Sequence, residues 1–225
     1  MAAVRYYLST SAAAAVSPAR ESHWTAANFA LAGKAMDTAK SNSALAAEIP
    51  ALTYGTGGTC DLAVAPGRMV LRQWVGPQIG VFDFTGSTVS LVLKTAASGS
   101  SLTMKLNMSV RLYHTDATLT TLLAANAADY DTTFPTTAAT RIANAVALAA
   151  VVSQNNDRLV VEVGVNFSVL SATCRWPIMT DGDPSASADY ALTTALTTNL
   201  DPWVEFSGTL PAPTIYNGQF LQFFH

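Results

Sequence analysis

The stretch LTMKLNMSVRLY, residues 102–113, decides the fold class of this chain. Every second side chain in it is apolar, and polar side chains occupy the positions between. The apolar set is Leu102, Met104, Leu106, Met108, Val110 and Leu112. Successive side chains of a β-strand point to opposite faces of a sheet, so this period of two predicts a long antiparallel strand. We expect its apolar face on a core and its polar face toward solvent or a neighbouring molecule.

The same alternation recurs on both sides of this strand, and Gly, Pro, Asn and Asp punctuate it. Residues 68–75 run into Gly76-Pro77, where we expect a strand to end, and SQNNDR at 153–158 indicates a turn. Residues 141–152 are rich in alanine and fit either a strand or a helix. Further stretches with a strand pattern are 79–84, 88–94, 159–167, 169–176 and 203–210.

Many short strands separated by turns predict an all-β protein, folded as an antiparallel β-sandwich or jelly roll. A chain of 225 residues has room for one such domain. Residues 61–225 are predicted to form the sandwich. Residues 1–60 are predicted to precede it as an extended N-terminal arm that includes the first strand or strands, and we expect a single domain overall.

Charged residues make up only 12% of the chain, and the formal net charge is −3. An ordinary soluble domain contains about 25% charged residues. A mildly acidic chain offers no positive field to phosphates, so we expect no nucleic-acid partner. No apolar run reaches the roughly 20 residues that span a bilayer, so we expect no membrane partner. A charged fraction this low is expected either for a subunit whose surface is covered by other copies or for a stable domain that tends to associate non-specifically.

Neither a metal nor another cofactor is predicted. Cys60 and Cys174 are the only cysteines and have no CxxC spacing, so two buried thiols are expected, although a single disulfide remains open. The stretch DGDPSASAD offers Asp181, Asp183 and Asp189 as oxygen ligands for calcium. It lacks the ligand order of an EF-hand, and Asp-Gly and Asp-Pro also form turns without a metal. These aspartates are weak calcium candidates.

Two sets of ionisable residues are candidates for catalytic groups. His114 is followed two residues later by Asp116, which in a nucleophile triad would orient the imidazole. Glu162 and Glu205 lie on the polar faces of two predicted strands and would face one groove if those strands were neighbours. The chain has no Gly-x-Ser-x-Gly elbow, and fifteen acids form such pairs by chance. We therefore interpret His114 as a strand-end residue and predict that the protein is not an enzyme.

The stretch NLDPWVEFS at 199–207 is predicted to be the entry of a buried strand. Pro202 has no N–H to give to a sheet ladder and belongs just before a strand begins. It biases Asp201 toward an extended backbone, and the Asp201 side chain can cap the loop. Trp203 then takes the first strand position. Asp201, Pro202 and Trp203 are thus predicted to form a strand-entry lock with a structural role.

Five blocks carry a resemblance: RYYLST near the start, LRQWVGPQI at 71–79, NNDRLVVEVGV at 155–165, DGDPSASAD at 181–189 and NLDPWVEFS at 199–207. In this order they resemble a group of tailed-bacteriophage proteins. Those proteins pair a Gln-Trp/Tyr-Val strand ending in Pro with an Asp-Arg-aliphatic-aliphatic-Glu strand and a closing Asn-Pro-Trp-Ile-Glu-Phe-Ser motif. This chain has Asp201 where Asn is common. The resemblance implies a β-rich virion component, made in the host bacterial cytoplasm, and carries over no catalytic residue.

The last ten residues, YNGQFLQFFH, are too apolar to extend into water. We expect them to form either a last strand on their own sandwich or an arm that crosses to a neighbouring subunit. The predicted assembly residues are Phe220, Leu221, Phe223 and Phe224.

Composition and resemblance together predict a non-enzymatic structural protein of a tailed-phage virion. It is expected on the exterior of the particle, in the tail or adsorption apparatus or as a capsid decoration. Its partners would be copies of itself and another virion protein, held through low-charge surfaces, sheet edges and terminal arms. The alternative is a receptor- or carbohydrate-binding module that recognises a host-surface glycan. Its sugar platform would be built from Trp24, Trp74, Trp176 and Trp203, although each ring is equally suited to closing the rim of a core.

Overall fold

A computed structural model describes residues 3–8, 12–27, 33–40, 67–97, 104–167, 177–180 and 188–214. The all-β prediction is confirmed, and the described residues contain no helix that could span a membrane. Their strands are β1 Val4–Tyr7, β2 Ala26–Ala27, β3 Lys34–Ala35, β4 Gly67–Ile79, β5 Thr88–Ala97, β6 Met104–Tyr113, β7 Leu119–Leu123, β8 Ala139–Ala147, β9 Asp157–Phe167, β10 Pro177–Thr180 and β11 Trp203–Phe206.

The described strands form two sheets. In the five-stranded sheet, β5 is central: β11 and β10 pair with successive parts of it, β8 pairs with it as well, and β1 pairs with β11. In the six-stranded sheet the order is β4-β9-β6-β7, and the short strands β2 and β3 lie parallel to β4. The two sheets share one apolar core, so the sandwich prediction is confirmed. The jelly-roll connections and the extended arm stay predictions.

The core lies between the sheets and uses alternate residues of each strand. From β6 it receives Met104, Leu106, Met108, Val110 and Leu112, which are at most 1% exposed. The five-stranded sheet supplies facing side chains, among them Leu91, Val204 and Phe206. Burial of each such side chain contributes roughly 1.5–3 kcal/mol relative to leaving it in water. The period of two in the sequence therefore marks the inner face correctly.

The polar face of β6 is also buried, which differs from the expectation of solvent or a neighbouring molecule. Asn107, Ser109 and Arg111 are at most 4% exposed. Residues 18–24, hereafter the covering segment, lie over this face, and the Ala19 carbonyl accepts a 2.7 Å hydrogen bond from Arg111. Buried polar groups need partners, and here the same chain supplies them through its own backbone.

Strand β4 does not end at Gly76-Pro77 as predicted. It continues to Ile79, and its pairing with β9 shifts register between Val75 and Gln78. Pro77 has no N–H for the ladder, and a bulge is the place where a strand tolerates that loss. The irregularity therefore interrupts the pairing with β9 without terminating the strand.

Residues 141–152, whose pattern fitted either a strand or a helix, contribute most of β8. Other segments of the same chain cover the outer edge of this strand. The backbone of Thr140 exchanges hydrogen bonds with Ala195 and Leu196, and Ile142 N–H donates to Asp131. Near its end, β8 is interrupted by a register shift next to Ala145, whose φ is 49°. Occupied groups and bulges both prevent another strand from adding to an edge. This edge is therefore poorly suited to adhesion.

Gly164→Ala tests the close packing around Gly164, which both β4 and the covering segment approach. A methyl group at Gly164 would overlap the Met69 carbonyl oxygen and lie 2.7 Å from the Trp24 ring. We expect a loss of about 3 kcal/mol or more in the free energy of unfolding, measured by urea denaturation.

The matched control is Gly76→Ala, also in a strand. Its new methyl group would lie 3.2 Å from the flexible end of Met36 and at ordinary contact distance from Leu159, so the change should stay within about 1 kcal/mol. Equal costs at the two positions would contradict the close packing at Gly164.

Candidate functional site

A buried polar cluster surrounds Glu162, in the middle of β9. This side chain is 0% exposed. Its two carboxylate oxygens accept five hydrogen bonds: from Arg111 Nη2 at 2.7 Å, Trp24 Nε1 at 2.8 Å, Ser109 Oγ at 2.8 Å, Gln73 Nε2 at 2.9 Å and Glu21 N at 3.0 Å. Hydrogen-bond donors of the protein therefore occupy both oxygens of the carboxylate.

Strand register places the donors around this carboxylate. Gln73 on β4 and Ser109 on β6 both lie directly opposite Glu162, so the three form a row across the sheet. Because side chains alternate between faces, all three point away from the core. The covering segment then closes the row, and the Pro18 carbonyl accepts from Gln73 at 3.1 Å.

The Arg111–Glu162 ion pair is buried on both sides, at 4% and 0% side-chain exposure. Burial lowers the pKa of Arg111, while the charge of Glu162 opposes that shift. Removing two charges from water costs several kcal/mol per ion and is offset only when hydrogen bonds satisfy both groups. The arrangement therefore holds the covering segment in place and presents no free lone pair to a substrate.

Glu21 fastens the end of the covering segment. Its carboxylate lies 2.7 Å from His23 Nδ1 and accepts the His23 N–H at 3.0 Å and the Ala125 N–H at 3.4 Å. Burial would raise the pKa of Glu21, but these hydrogen bonds outweigh burial and hold the pKa below its ordinary value. Glu21 is therefore a charged anchor at neutral pH.

Glu162 and Glu205 do not converge. Glu162 lies on the outer face of the six-stranded sheet. Glu205 lies on β11, on the face opposite the core residues Val204 and Phe206, and pairs with Arg5 at 2.9 Å. The two carboxylates thus face opposite sides of the sandwich, and the interpretation as a glycosidase pair does not hold for them.

His114 follows β6, but its acidic partner is Asp157 and not Asp116. His114 Nδ1 lies 2.9 Å from the fully buried Asp157, and His114 Nε2 lies 2.8 Å from Thr120 Oγ1. Asp116 accepts hydrogen bonds from Thr118 instead and shapes the hairpin turn. Asp157 also accepts from Gln154 N at 2.7 Å, so His114 ties the β6–β7 hairpin to the turn before β9.

A second charged group, the terminal charge cluster, consists of Arg5, Lys40, Asp189, Asp201 and Glu205. Arg5 lies 2.6 Å from Asp189, and Lys40 lies 2.7 Å from Asp189 and 2.9 Å from Asp201. The Arg5 guanidinium also stacks 3.9 Å above the centre of the Trp203 ring. The cluster joins the first strand to the segment before β11.

Asp189 was a calcium candidate, but its carboxylate is occupied by two side-chain cations and by the Tyr7 hydroxyl at 3.2 Å. No group of three or more His, Cys, Asp or Glu residues in the described ranges is arranged to hold a metal ion. The remaining candidates, Asp181 and Asp183, lie outside the described residues. So do Cys60, Cys174, Trp176, the stretch 169–176, and the tail residues Phe220, Leu221, Phe223 and Phe224.

In the structure Pro202 directly precedes β11, which begins at Trp203. The Trp203 ring is 2% exposed, and its Nε1–H donates to the Tyr190 carbonyl at 2.7 Å. Asp201 is fully buried and bridges to Asp189 through the backbone. Trp24 and Trp74 are also only 2% exposed, so none of the three described tryptophans offers a ring face to a sugar.

The sequence alone did not identify the Glu162 cluster. The signal that could have found it is a set of polar residues at strand centres, namely Gln73, Arg111 and Glu162. Such side chains need hydrogen-bond partners if they are buried. With this geometry in hand, comparison with family models, with curated proteins and with solved structures gave no significant match.

Glu162→Gln should release the covering segment, because it leaves the buried Arg111 charge without its counter-ion. We expect a loss of about 3–5 kcal/mol in the free energy of unfolding. Trypsin should then cleave after the exposed Arg20 faster than in the native protein, as measured by mass spectrometry of timed digests.

Trp24→Phe is the milder variant, since it removes one hydrogen bond at a cost of about 1–2 kcal/mol and should also speed cleavage after Arg20. Glu205→Gln is the control on the opposite face, with an expected cost of about 1 kcal/mol or less. Native resistance to trypsin in both Glu162→Gln and Trp24→Phe would contradict the proposed fastening.

Asp189→Asn tests the terminal charge cluster through pH. Burial would raise the pKa of Asp189, but hydrogen bonds from Lys40, Arg5 and Tyr7 outweigh burial and lower it. A lowered pKa in the folded state stabilises the protein above the unfolded value of about 3.9, and this stability is lost as the pH falls through the folded value. The variant should therefore be about 1 kcal/mol less stable than the native protein at pH 7, and the gap should close in acid.

Urea denaturation at a series of pH values measures this gap, and added salt should narrow it at pH 7 because the pairs are partly exposed. A gap that stays constant from neutral to acid pH would show that the charge of Asp189 does not stabilise the fold.

Proposed function

We propose that this chain is a non-enzymatic structural protein of a tailed-phage virion. It lies on the exterior of the particle, in the tail or adsorption apparatus or as a capsid decoration. Copies of the chain pack against each other and against another virion protein. The resemblance of five ordered sequence blocks to tailed-phage proteins suggests the particle, and the distribution of charge supports the packing.

The observation that carries this proposal is the burial of charge. The chain has 12 Lys and Arg residues and 15 Asp and Glu residues. Several of these few charged side chains are buried inside the fold. Among the residues that the structure describes, the buried charged side chains are Glu21, Arg72, Lys94, Arg111, Arg141, Asp157, Glu162 and Asp201. Many described exposed positions are Ala or Thr instead. Such a surface loses little hydration on contact with another protein, which favours packing between subunits.

The chemistry of the buried clusters also supports a structural role. The Glu162 carboxylate is saturated by protein donors, Asp189 is held by Arg5 and Lys40, and His114 is fixed between Asp157 and Thr120. Each cluster connects segments that are distant in the sequence. Such satisfied networks rigidify a fold, which suits a structural role.

The apolar tail is the proposed element of assembly, through Phe220, Leu221, Phe223 and Phe224. The outer edge of β8 is occupied by Asp131 and by residues 195–196, so adhesion through that edge is disfavoured. Contacts through low-charge faces and through the tail remain as the proposed means of association.

Mass spectrometry of gradient-purified particles, from a phage that encodes this chain, tests the location directly. We expect the chain at a copy number comparable to that of other exterior proteins. Its absence from particles that contain their other structural proteins would overturn the proposal.

Light scattering after size-exclusion chromatography tests the packing, with the full chain compared with a variant that lacks residues 216–225. We expect a defined homo-oligomer for the full chain and a folded monomer for the truncated one. A full chain that stays monomeric at high concentration would contradict self-assembly, and a truncated chain that unfolds would place the tail in the core.

A further inference from the structure

A groove opens at one end of the sandwich, between the loop that follows β4 and the residues that follow β11. Its volume is about 470 Å³, within the roughly 300–1,000 Å³ of small-molecule sites. We call it the end groove, and it is lined by Phe82, Asp83, Thr85, Gly86, Ser87, Ser207 and Gly208.

Backbone hydrogen bonds hold both walls of the end groove. On one side, Phe84 N–H donates to the Val151 carbonyl, and a turn returns Ser87 N–H to the Phe84 carbonyl, both at 2.9 Å. Gly86 completes this turn with a φ of 72°. On the other side, Ser207 Oγ accepts from Thr88 N at 2.7 Å. The groove is therefore preformed, which reduces the entropic cost of binding a ligand.

The Phe82 ring forms the apolar wall. It is half-buried and packs edge-on against Phe84, with ring centres 4.9 Å apart. A side chain at Gly208 would come within 3.0 Å of the Phe82 ring, and the φ of 108° there also requires glycine. The exposed side chain of Val81 precedes this ring in the chain, and the exposed Val152 bridges to Asp83. One side of the groove thus offers apolar surface.

The other lining groups are hydroxyls and one carboxylate. Thr85, Ser87 and Ser207 each carry a hydroxyl, and Ser207 can still donate its own proton while it accepts from Thr88. Backbone and side-chain hydrogen bonds from Thr85 lower the pKa of the exposed Asp83, so this carboxylate is charged at neutral pH. None of the described lining residues is Lys or Arg.

These groups fit a neutral ligand with many hydroxyls and one apolar face. Hydroxyl donors bind to the Asp83 carboxylate, mixed donors and acceptors bind to Ser87 and Ser207, and an apolar ring face stacks on Phe82. An anionic ligand would meet the Asp83 charge without a compensating cation. We propose that the end groove binds a neutral pyranose, either alone or as one residue of a glycan.

This site is independent of the packing proposed above, because its described lining lies in loops at the end of the sandwich, whereas the packing is proposed for the outer faces and the tail. It also differs from the tryptophan platform considered from the sequence. A virion protein can hold the particle together and carry such a site at the same time.

A glycan array probed with the fluorescently labelled full chain tests the proposal. The array carries neutral hexose and N-acetylhexosamine glycans, together with matched glycans that end in uronic or sialic acid. We expect binding to at least one neutral glycan and weaker binding to its acidic counterpart. Calorimetry with the best free neutral glycan then gives the affinity.

Gly86→Asn is the blocking variant. Asn tolerates the left-handed backbone, and its side chain would enter a position where Gly86 has no neighbour within 4 Å. We expect at least about a tenfold loss of affinity. The matched control is Ala117→Asn, at an exposed position with a φ of 66° in the β6–β7 hairpin and outside the groove lining, which should bind as the native protein does.

Thermal melting and light scattering of both variants confirm that the fold and the oligomeric state are retained. The proposal is overturned if no neutral glycan binds, if acidic glycans bind more tightly than neutral ones, or if Gly86→Asn binds as well as Ala117→Asn. None of these results bears on whether the chain assembles, so the two proposals fail separately.

Discussion

A fully buried carboxylate at the centre of a sheet is the constraint on which the rest of this structure depends. Glu162 must be matched by donors, because an uncompensated charge in a dry interior costs several kcal/mol. The donors come from the two strands that flank β9, namely β4 and β6, and from the covering segment, residues 18–24. A one-residue slip of β9 would turn the carboxylate into the core, so this network also specifies the register of the six-stranded sheet.

The covering segment lies over the outer face of the six-stranded sheet, so the sandwich has a cover in addition to its two sheets. A similar cover lies over the five-stranded sheet, where Tyr190, Leu196 and Leu200 pack on the outer side of Trp203. Polar residues that would otherwise face water are enclosed by the same chain. The low charge of the exterior and the burial of ionic groups are therefore two consequences of one arrangement, and that exterior is the physical basis of the proposed packing in a particle.

The two proposals use different parts of the molecule for a physical reason. The chain's own segments cover described parts of the broad outer faces, whereas the end groove is a concave surface where loops meet at one end of the sandwich. Two glycines in its lining, Gly86 and Gly208, leave room that side chains would fill. Loops on a rigid scaffold commonly carry recognition, whereas the faces of the scaffold carry association.

The sequence by itself determined the all-β class, the inner face of the long strands, the turn at 153–158 and the entry of the last described strand after Pro202, because each depends on local backbone geometry. It did not predict that Pro77 sits in a bulge or that Asp157 partners His114. It also left open what covers the polar faces. Alternation shows only that the two faces of a strand differ in polarity. Tertiary structure decided that Glu21, 141 residues away in the chain, would meet Glu162, because partners so distant come together only when the whole sheet has formed.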